Sequence, residues 1–590
     1  MFFASKSRWH QEKKQPLSQT RARMIFGAFF LFFFAMVFRL IDLQIMEHDW
    51  YRVLASGQHE LFEELVPERG EIFMHDQKDQ NNVLVATNQT FPFLYADPRL
   101  IKDPLFTAKT IGDILGYEDD AIDRLYERLS QTDDPYEPIA HKITHEQYKA
   151  IHEKELSGIF FIPESFRFYP EAQMSGHLVG FVGSDEEGNY AGRYGVEGYF
   201  DDVLSGTAGF LRSDRDLSGS FITVGYRSMQ KATDGADIFL TIDRNIQFVA
   251  CQKLQEAVTR HGAESGSVII VDPNTGAILA SCAVPDFDPN HYERVSSITV
   301  FNNPVIFSAY EPGSIFKPIT MAAALDQGAV TPETLFDDTG SVVINNITIR
   351  NSENKTYRIQ TMTQVLEESI NTGIIFAMQA IGPERFADYV RSFGFGALTG
   401  IELKTEMPGN ISSLEKTAEI YAATASFGQG ITTTPLQLVM AYAAIANGGN
   451  LLKPQIVSEI YYPDGSKKQR LREEIRPVMS EKTAGLLGAM LVSVVEHGHG
   501  KRAGVPGYYI AGKTGTAQVA KVGEIGYDSH KTIGSFAGFG PVSQPRFAMV
   551  VRIDDPKDVR FAESTAAPLF GEIANFLLNY LEVPPEREIN

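Results

Sequence analysis

Residues 310–328 read YEPGSIFKPITMAAALDQG. Pro312 and Gly313 shape a turn, and the apolar run after them reads as a buried helix with Ser314 in its first turn. Residues at i and i+3 share a helix face, so Lys317 is placed one turn above the Ser314 hydroxyl. A serine hydroxyl is a weak nucleophile until a base takes its proton. Lysine serves as that base only as the neutral amine, a form favoured by apolar burial and by a neighbouring cation. Pro318 is tolerated because the first turn has no internal hydrogen bond to lose. A second S-x-x-K, Ser352 to Lys355, lies in the polar stretch TIRNSENKTYR, where nothing apolar frames the pair.

Two further short words follow in order. Ser369-Ile-Asn371 falls between the helical stretches MTQVLEESI and TGIIFAMQAI, on an expected connecting loop. There Ser369 can relay a proton between the lysine and a leaving amine, and Asn371 offers a donor and an acceptor to a substrate amide. Lys513-Thr-Gly515, inside GYYIAGKTGTAQVA, reads as a strand. Its glycines let a ligand backbone lie alongside as an added strand. Lys513 is the natural second cation beside Lys317, and Thr514, Gly515 and Thr516 complete a surface for a substrate carboxylate. A helix cap explains S-x-N alone, and a β-turn explains the glycines of K-T-G. Neither explains three words in this order.

With these words in place, the chain resembles the class B penicillin-binding proteins, the serine D,D-transpeptidases that cross-link bacterial peptidoglycan. The resemblance covers nearly the whole chain. Arg69-Gly-Glu-Ile72, Arg167-Phe-Tyr-Pro170 with His177-Leu-Val-Gly180, and Gly195-Val-Glu197 with Leu204-Ser-Gly206 resemble three boxes of the family's non-catalytic domain. Thr241-Ile-Asp243 through Gln247 resembles the entry to its catalytic domain, and Glu311-Pro-Gly313, Thr516-Ala-Gln518 and SFAGFGPVSQPRFAMVVRIDDP are also family-like. One box departs from pattern. The family usually carries an aspartate two residues after the isoleucine of R-G-x-I, where this chain has Met74, with Asp76 two positions later. The departure bears on local packing or partner contact in the non-catalytic domain.

The resemblance implies an α+β architecture. An N-terminal transmembrane helix leads to an elongated mixed pedestal of the dimerisation type, then to a transpeptidase domain with a five-stranded antiparallel sheet and helices on both faces. It implies that Ser314 is acylated by the D-Ala-D-Ala end of a stem peptide, with backbone amides of Ser314 and Thr516 as oxyanion donors, and that β-lactams trap the same serine. The stretch EHGHGKRAGVPGYYIAGKTGTAQ and the short path from K-T-G to SFAGFG are closer to septal (FtsI-type) than to elongation members. A membrane-embedded glycan polymerase and divisome proteins are the partners implied. An elongation enzyme, a D,D-carboxypeptidase and a β-lactam sensor remain as alternatives.

Composition fits an anchored extracytoplasmic enzyme. The apolar run Met24 to Phe38 spans only ~22 Å as a helix, short of a ~30 Å hydrocarbon core. Continuing to Ile45 closes the gap, with Arg39 snorkelling. Six basic residues against one acid precede the run, which places the N-terminus in the cytoplasm. No small-x-small cleavage site follows, so the run reads as a retained anchor. Of the whole-chain charge of −21, the part after residue 23 carries −26, which excludes nucleic acid as a partner. No cofactor is expected. His145-Glu146 opens an H-E-x-x-H that Lys149 breaks, and His497-x-His499 is only a pair, so no metal is expected either. Cys251 and Cys282 both lie in apolar stretches and read as two separately buried thiols.

The expected organisation is a tail over 1–23, an anchor over 24–45, a pedestal over 46–235 and the transpeptidase domain over 236–590. SGSVIIVDP and TGAILASCAV read as a hairpin around DPNTG, EKTAGLLGAMLVSVVEHG as a helix, SFAGFG and RFAMVVRID as strands, and PLFGEIANFLLNYL as a closing amphipathic helix.

Overall fold

The structure is a computed structural model that describes residues 19–41, 60–184, 190–214, 227–520 and 526–588. The tail as far as residue 18, the end of the expected span at 42–45, and part of the turn GSDEEGNYAGRYGVEG lie outside the described residues. The chain forms two compact units, residues 1–66 with 207–233, and residues 67–206 with 234–590. The smaller unit holds the helix Gln19–Ile41 and an antiparallel sheet in which Gly209–Asp214 lies between Glu60–Leu65 and Arg227–Gln230. Along that helix Phe26, Phe29, Leu31 and Phe38 are exposed. Among the described residues no helix is long and apolar enough to cross a membrane.

The larger unit opens on a seven-stranded mixed sheet. Ile72–Asp76 pairs antiparallel with the long strand Asn81–Ala96, which in turn pairs with Glu137–Ala140 and Ile159–Phe168. On its other side Ile72–Asp76 pairs in parallel with Asp237–Asp243, which carries Val457–Tyr461 and then Lys467–Gln469. A parallel pair needs a long crossover, supplied by the 160-odd residues between these strands.

The three sequence boxes of the non-catalytic part converge on one buried carboxylate. Glu197 is fully buried. Its Oε2 accepts from Arg69 Nε at 2.7 Å, and its Oε1 accepts from Arg167 Nε at 2.7 Å. Asn88 ties the two arginines together by donating to the Arg69 carbonyl at 2.6 Å and accepting from Arg167 at 3.2 Å. Gly70 donates its N–H to Leu204, and a Cβ at Gly70 would lie 2.0 Å from the Ala236 carbonyl oxygen, so this position takes glycine alone. Met74, where the family carries aspartate, is buried in the main hydrophobic core. Asp76 instead accepts the N–H groups of Lys78 and Asp79 and turns the chain toward the next strand.

The entry box works as a junction. Asp243 caps α1 (Arg244–His261) by accepting from Asn245 and Ile246, and it also accepts from the Gln77 N–H at 3.0 Å. Gln247, fully buried, exchanges two hydrogen bonds with the Ser281 backbone and donates to the Met174 carbonyl. Next come β1 (Ser265–Val271) and β2 (Ile278–Val284), the expected hairpin. Among the helices that follow are α2 (Lys317–Asp326), α3 (Met362–Glu367), α4 (Asn371–Ile381), α5 (Pro435–Ala446) and α6 (Glu481–Glu496). Then come β3 (Ala511–Ala520), β4 (Tyr527–Gly540), β5 (Phe547–Asp554) and the closing helix α7 (Ala566–Tyr580). The five strands form one antiparallel sheet in the order β2-β1-β5-β4-β3.

Both faces of that sheet are covered, which is why its strands read as nearly continuous apolar runs. Ile269, Val271, Phe539, Ala548 and Val550 face the core that contains α5. The alternate residues Val268, Ile270, Phe536, Met549 and Val551 face α1 and α7. The expectation of separate thiols is corrected on this second face. Cys251 on α1 and Cys282 on β2 form a disulfide, with Cα atoms 5.3 Å apart. Apolar context gave no hint of it, because the pairing depends on how α1 crosses β2.

Removing one partner of a buried ion pair strands the others in low dielectric at a cost of about 3–5 kcal/mol. Glu197→Gln is therefore expected to lower the urea-unfolding free energy of the purified protein by about that amount. A loss below ~1 kcal/mol, the scale of an exposed pair, would show that Glu197 is not the tie that joins the three boxes.

Candidate functional site

The expected nucleophile sits on a tight turn. Gly313–Phe316 forms one turn of 3-10 helix and α2 begins at Lys317, so Ser314 precedes the α-helix proper. The Lys317 N–H donates to the Ser314 carbonyl, closing the turn. Side chains at i and i+3 eclipse in 3-10 geometry, which aligns Ser314 and Lys317 more strictly than an α-turn would. Gly313 has φ +56° and its N–H donates to the Gly428 carbonyl at 3.0 Å. A Cβ on Gly428 would lie 2.2 Å from the Gly313 oxygen, so the two backbones meet only because Gly428 lacks a side chain. From beneath, the Tyr442 hydroxyl donates to the Ile315 carbonyl at 2.8 Å.

Lys317 is fully buried. Its Nζ donates to the Ser369 carbonyl and to Ser369 Oγ, the latter at 3.1 Å. Ser369 lies between α3 and α4, as expected, and holds φ +57°, a left-handed conformation that few non-glycine residues adopt. Asn371 is not on the loop but is the first residue of α4, and its Nδ2 donates to the Arg350 carbonyl at 3.1 Å. Lys513, also fully buried, donates to the Thr514 carbonyl at 3.2 Å, with the Thr514 hydroxyl 3.5 Å away. Burial pushes the Lys317 amine well below the ordinary lysine range, and the neighbouring Lys513 pushes it the same way. Burial also brings Lys513 down to about 7, against the opposing pull of Glu368. Both buried amines therefore give up a proton more readily than exposed lysines do, Lys317 under the added repulsion of Lys513.

The third wall is β3, the edge strand of the sheet. A Cβ on Gly515 would lie 2.9 Å from Ile315 and 3.1 Å from the Pro312 oxygen, so glycine lets the strand rest directly on the nucleophile turn. Thr514 is buried and Thr516 half-buried. The Thr516 hydroxyl accepts the Ala562 N–H at 3.1 Å, which fixes its orientation. An edge strand leaves one row of backbone groups open to a peptide laid alongside. Ser314, Lys317, Ser369, Lys513 and Gly515 are thus brought together from three distant parts of the chain. Ser352, of the second S-x-x-K, lies on an exposed turn, where Lys355 pairs with Glu353 at 2.6 Å.

Several residues at the site had no role assigned from the sequence. Glu368 precedes Ser369 and acts on Lys513. His499, weighed in the sequence only as half of a metal pair, places Nδ1 3.2 Å from Glu563 and Nε2 3.8 Å from Glu368. Its own N–H donates to the Glu367 carbonyl, so the loop after α6 is seated against the Ser369 segment. Glu311, three residues before Ser314, accepts from Gly430 and Tyr527.

Residues 266–575 match the penicillin binding protein transpeptidase domain, and residues 64–240 match the penicillin-binding protein dimerisation domain. The chain is 33% identical over 570 residues to stage V sporulation protein D of Bacillus subtilis, covering 95% of this chain and 86% of that protein. It is 33% identical over 451 residues to peptidoglycan D,D-transpeptidase FtsI of Escherichia coli, covering 76% and 73%. Among solved structures it superposes on penicillin binding protein 3 of Mycobacterium tuberculosis, complexed with aztreonam, with a TM-score of 0.68 at 26% identity, over 89% of this chain and 99% of that one.

Because Lys513 depresses the Lys317 amine, neutralising it frees Lys317 to titrate higher. In Lys513→Gln the acid limb of Ser314 acylation by fluorescent penicillin is expected to move to higher pH. Lys317→Ala is expected to slow that acylation at neutral pH by ~10²–10⁴-fold, the usual worth of a general base. An acid limb that stays in place in Lys513→Gln would mean that the two amines do not sense each other.

Proposed function

This chain belongs to the class B penicillin-binding proteins, serine-type D,D-transpeptidases that bind β-lactams, and we propose that it cross-links peptidoglycan through Ser314 during septal wall synthesis. The observation that carries the reading is the fully buried Lys317, one 3-10 turn from Ser314, bonded to Ser369 and depressed by Lys513.

Neutral Lys317 takes the Ser314 proton as Oγ attacks the carbonyl between the two terminal D-alanines. The oxyanion is held by the backbone amides of Ser314 and Thr516, the donors the family implies. The proton returns through Ser369 to the leaving D-alanine nitrogen, the C–N bond breaks, and an ester on Ser314 remains. An amine from a neighbouring stem then attacks the ester, loses its proton to the same relay and releases Ser314 as the alcohol. Asn371 holds the donor amide, while Lys513, Thr514, Gly515 and Thr516 hold the terminal carboxylate. A β-lactam presents the same acyl-D-alanine geometry and leaves an ester that resolves slowly.

The septal assignment is supported by the FtsI relative and by the K-T-G neighbourhood. A second reading, a role confined to sporulation, is favoured by the Bacillus subtilis relative that spans 95% of this chain. We place the catalytic domain, residues 236–590, on the extracytoplasmic side of the membrane, with the pedestal over 46–235 and one anchor over 24–45. The basic tail, the exposed apolar face of Gln19–Ile41 and the Cys251–Cys282 disulfide support this, since disulfides persist in oxidising compartments. The anchor and pedestal are the surfaces offered to a membrane-embedded glycan polymerase and to divisome proteins.

Intact mass after benzylpenicillin treatment is expected to show one penicilloyl adduct in the wild type and in Ser352→Ala, and none in Ser314→Ala. An adduct that survives Ser314→Ala would remove the proposed nucleophile. Depletion in growing cells is expected to give filaments. Rounded cells would mean an elongation role, and normal growth with failed spores would mean the sporulation role.

A further inference from the structure

Glu311 takes no part in the steps above, yet it stands at the cleft. The Pro312–Gly313 segment rests against β3, since a Cβ on Gly313 would lie 3.5 Å from both the Thr516 oxygen and the Ala517 Cβ. Tyr527, which bonds to Glu311, faces Ala520 across the β3–β4 pair. Glu311 therefore flanks β3 on the far side of Thr516, while Lys513 flanks it on the near side. About four residues of strand separate Lys513 from Ala517, or roughly 13 Å. The cleft thus has a cationic end and an anionic end.

The Glu311 carboxylate is poorly compensated. Oε1 accepts the Gly430 N–H at 2.9 Å, and the Tyr527 hydroxyl donates to Oε2 at 3.0 Å, lying 3.3 Å from Oε1. Both donors are neutral. Among the described residues no lysine, arginine or histidine pairs with it, and burial raises its pKa against only the Gly430 and Tyr527 hydrogen bonds. Burial together with Glu311 lifts the Tyr527 phenol to about 12, so Tyr527 remains a donor throughout the working range. A half-buried carboxylate with neutral partners and free lone pairs bears a desolvation cost that an arriving cation offsets.

Resting on the transpeptidase reading, we propose that Glu311 binds a substrate ammonium group, completing a site whose two ends match the carboxylate and the side-chain amine of stem peptides. That amine belongs either to the acceptor strand or to the third residue of the donor. The chemistry is shared, and two arms of one experiment distinguish the sources.

The test uses the full chain in detergent with three probes: benzylpenicillin, which has no ammonium group; a stem pentapeptide ending in D-Ala-D-Ala, with its third-residue amine free or acetylated; and a stem tetrapeptide with a free third-residue amine as acceptor. Acyl-enzyme and cross-linked product are read by mass spectrometry. In Glu311→Gln the ratio of amine-dependent turnover to benzylpenicillin acylation is expected to fall about ten- to a hundredfold, the scale of one charge-assisted hydrogen bond, and Glu311→Asp is expected to recover part of it. A rise confined to the KM of the tetrapeptide assigns the acceptor. Slower acylation by the free pentapeptide but not by its acetylated form assigns the donor. The proposal is overturned if the ratio does not change, or if all three probes slow together, which would make Glu311 a support for the Ser314 turn. Absence of a penicilloyl adduct on the wild type would instead strike at the transpeptidase reading.

Discussion

A lysine buried without an anion is the constraint on which the rest of this molecule depends. Lys317 is removed from water among the apolar residues of α2, and among the described residues the charge that acts on it is another cation, Lys513. Only the neutral amine tolerates such a place, and the neutral amine is what a serine nucleophile needs. Much of the surrounding structure holds that arrangement together. Gly428 lets two backbones meet under Ser314, Ser369 accepts a left-handed conformation, and Gly515 lets the edge strand bring Lys513 close.

The non-catalytic part solves the opposite problem. Glu197 is buried as deeply as Lys317, but two arginines neutralise it and Asn88 locks them in place. One buried ionisable group is paired and joins the three boxes; the other has no counter-ion among the described residues, as the proposed general base requires. The junction between the two parts is structural rather than a loose tether. Asp237–Asp243 sits inside a sheet shared with Ile72–Asp76, and Asp243 and Gln247 bond to both sides of the boundary. Arg69, which holds Glu197, lies three residues before Ile72, the start of the strand that pairs with Asp237–Asp243 and so leads into α1.

The sequence was most legible where chemistry dictates local spacing. The Ser314–Lys317 interval, the hairpin around DPNTG, the strands SFAGFG and RFAMVVRID and the closing helix all follow from period and turn residues, and the structure contains each of them. The second S-x-x-K, at Ser352, is set apart from Ser314 by its polar neighbours. Features that depend on tertiary approach were not legible. The Cys251–Cys282 bond needs the crossing of α1 over β2, and the sheet shared between the two parts needs a parallel pairing with no local signature. Glu368 and His499 carry no motif of the site and Glu311 stood out only as part of the family-like Glu311-Pro-Gly313, so their significance lies in what the fold sets beside them. Asn371 was misplaced by one residue, from loop to helix start, because S-x-N is itself a cap-like pattern.

The central claim is that Lys317 is a neutral amine when the enzyme is ready to react. The most direct test is a titration of the protein labelled with carbon-13 at lysine Cε, in which the Lys317 resonance is assigned by its loss in Lys317→Ala and followed across pH. Lys317 is expected to titrate far below the exposed lysines, with the Lys513 signal changing at about 7. A Lys317 that titrates together with the exposed lysines would contradict it, and another group would have to take the proton from Ser314.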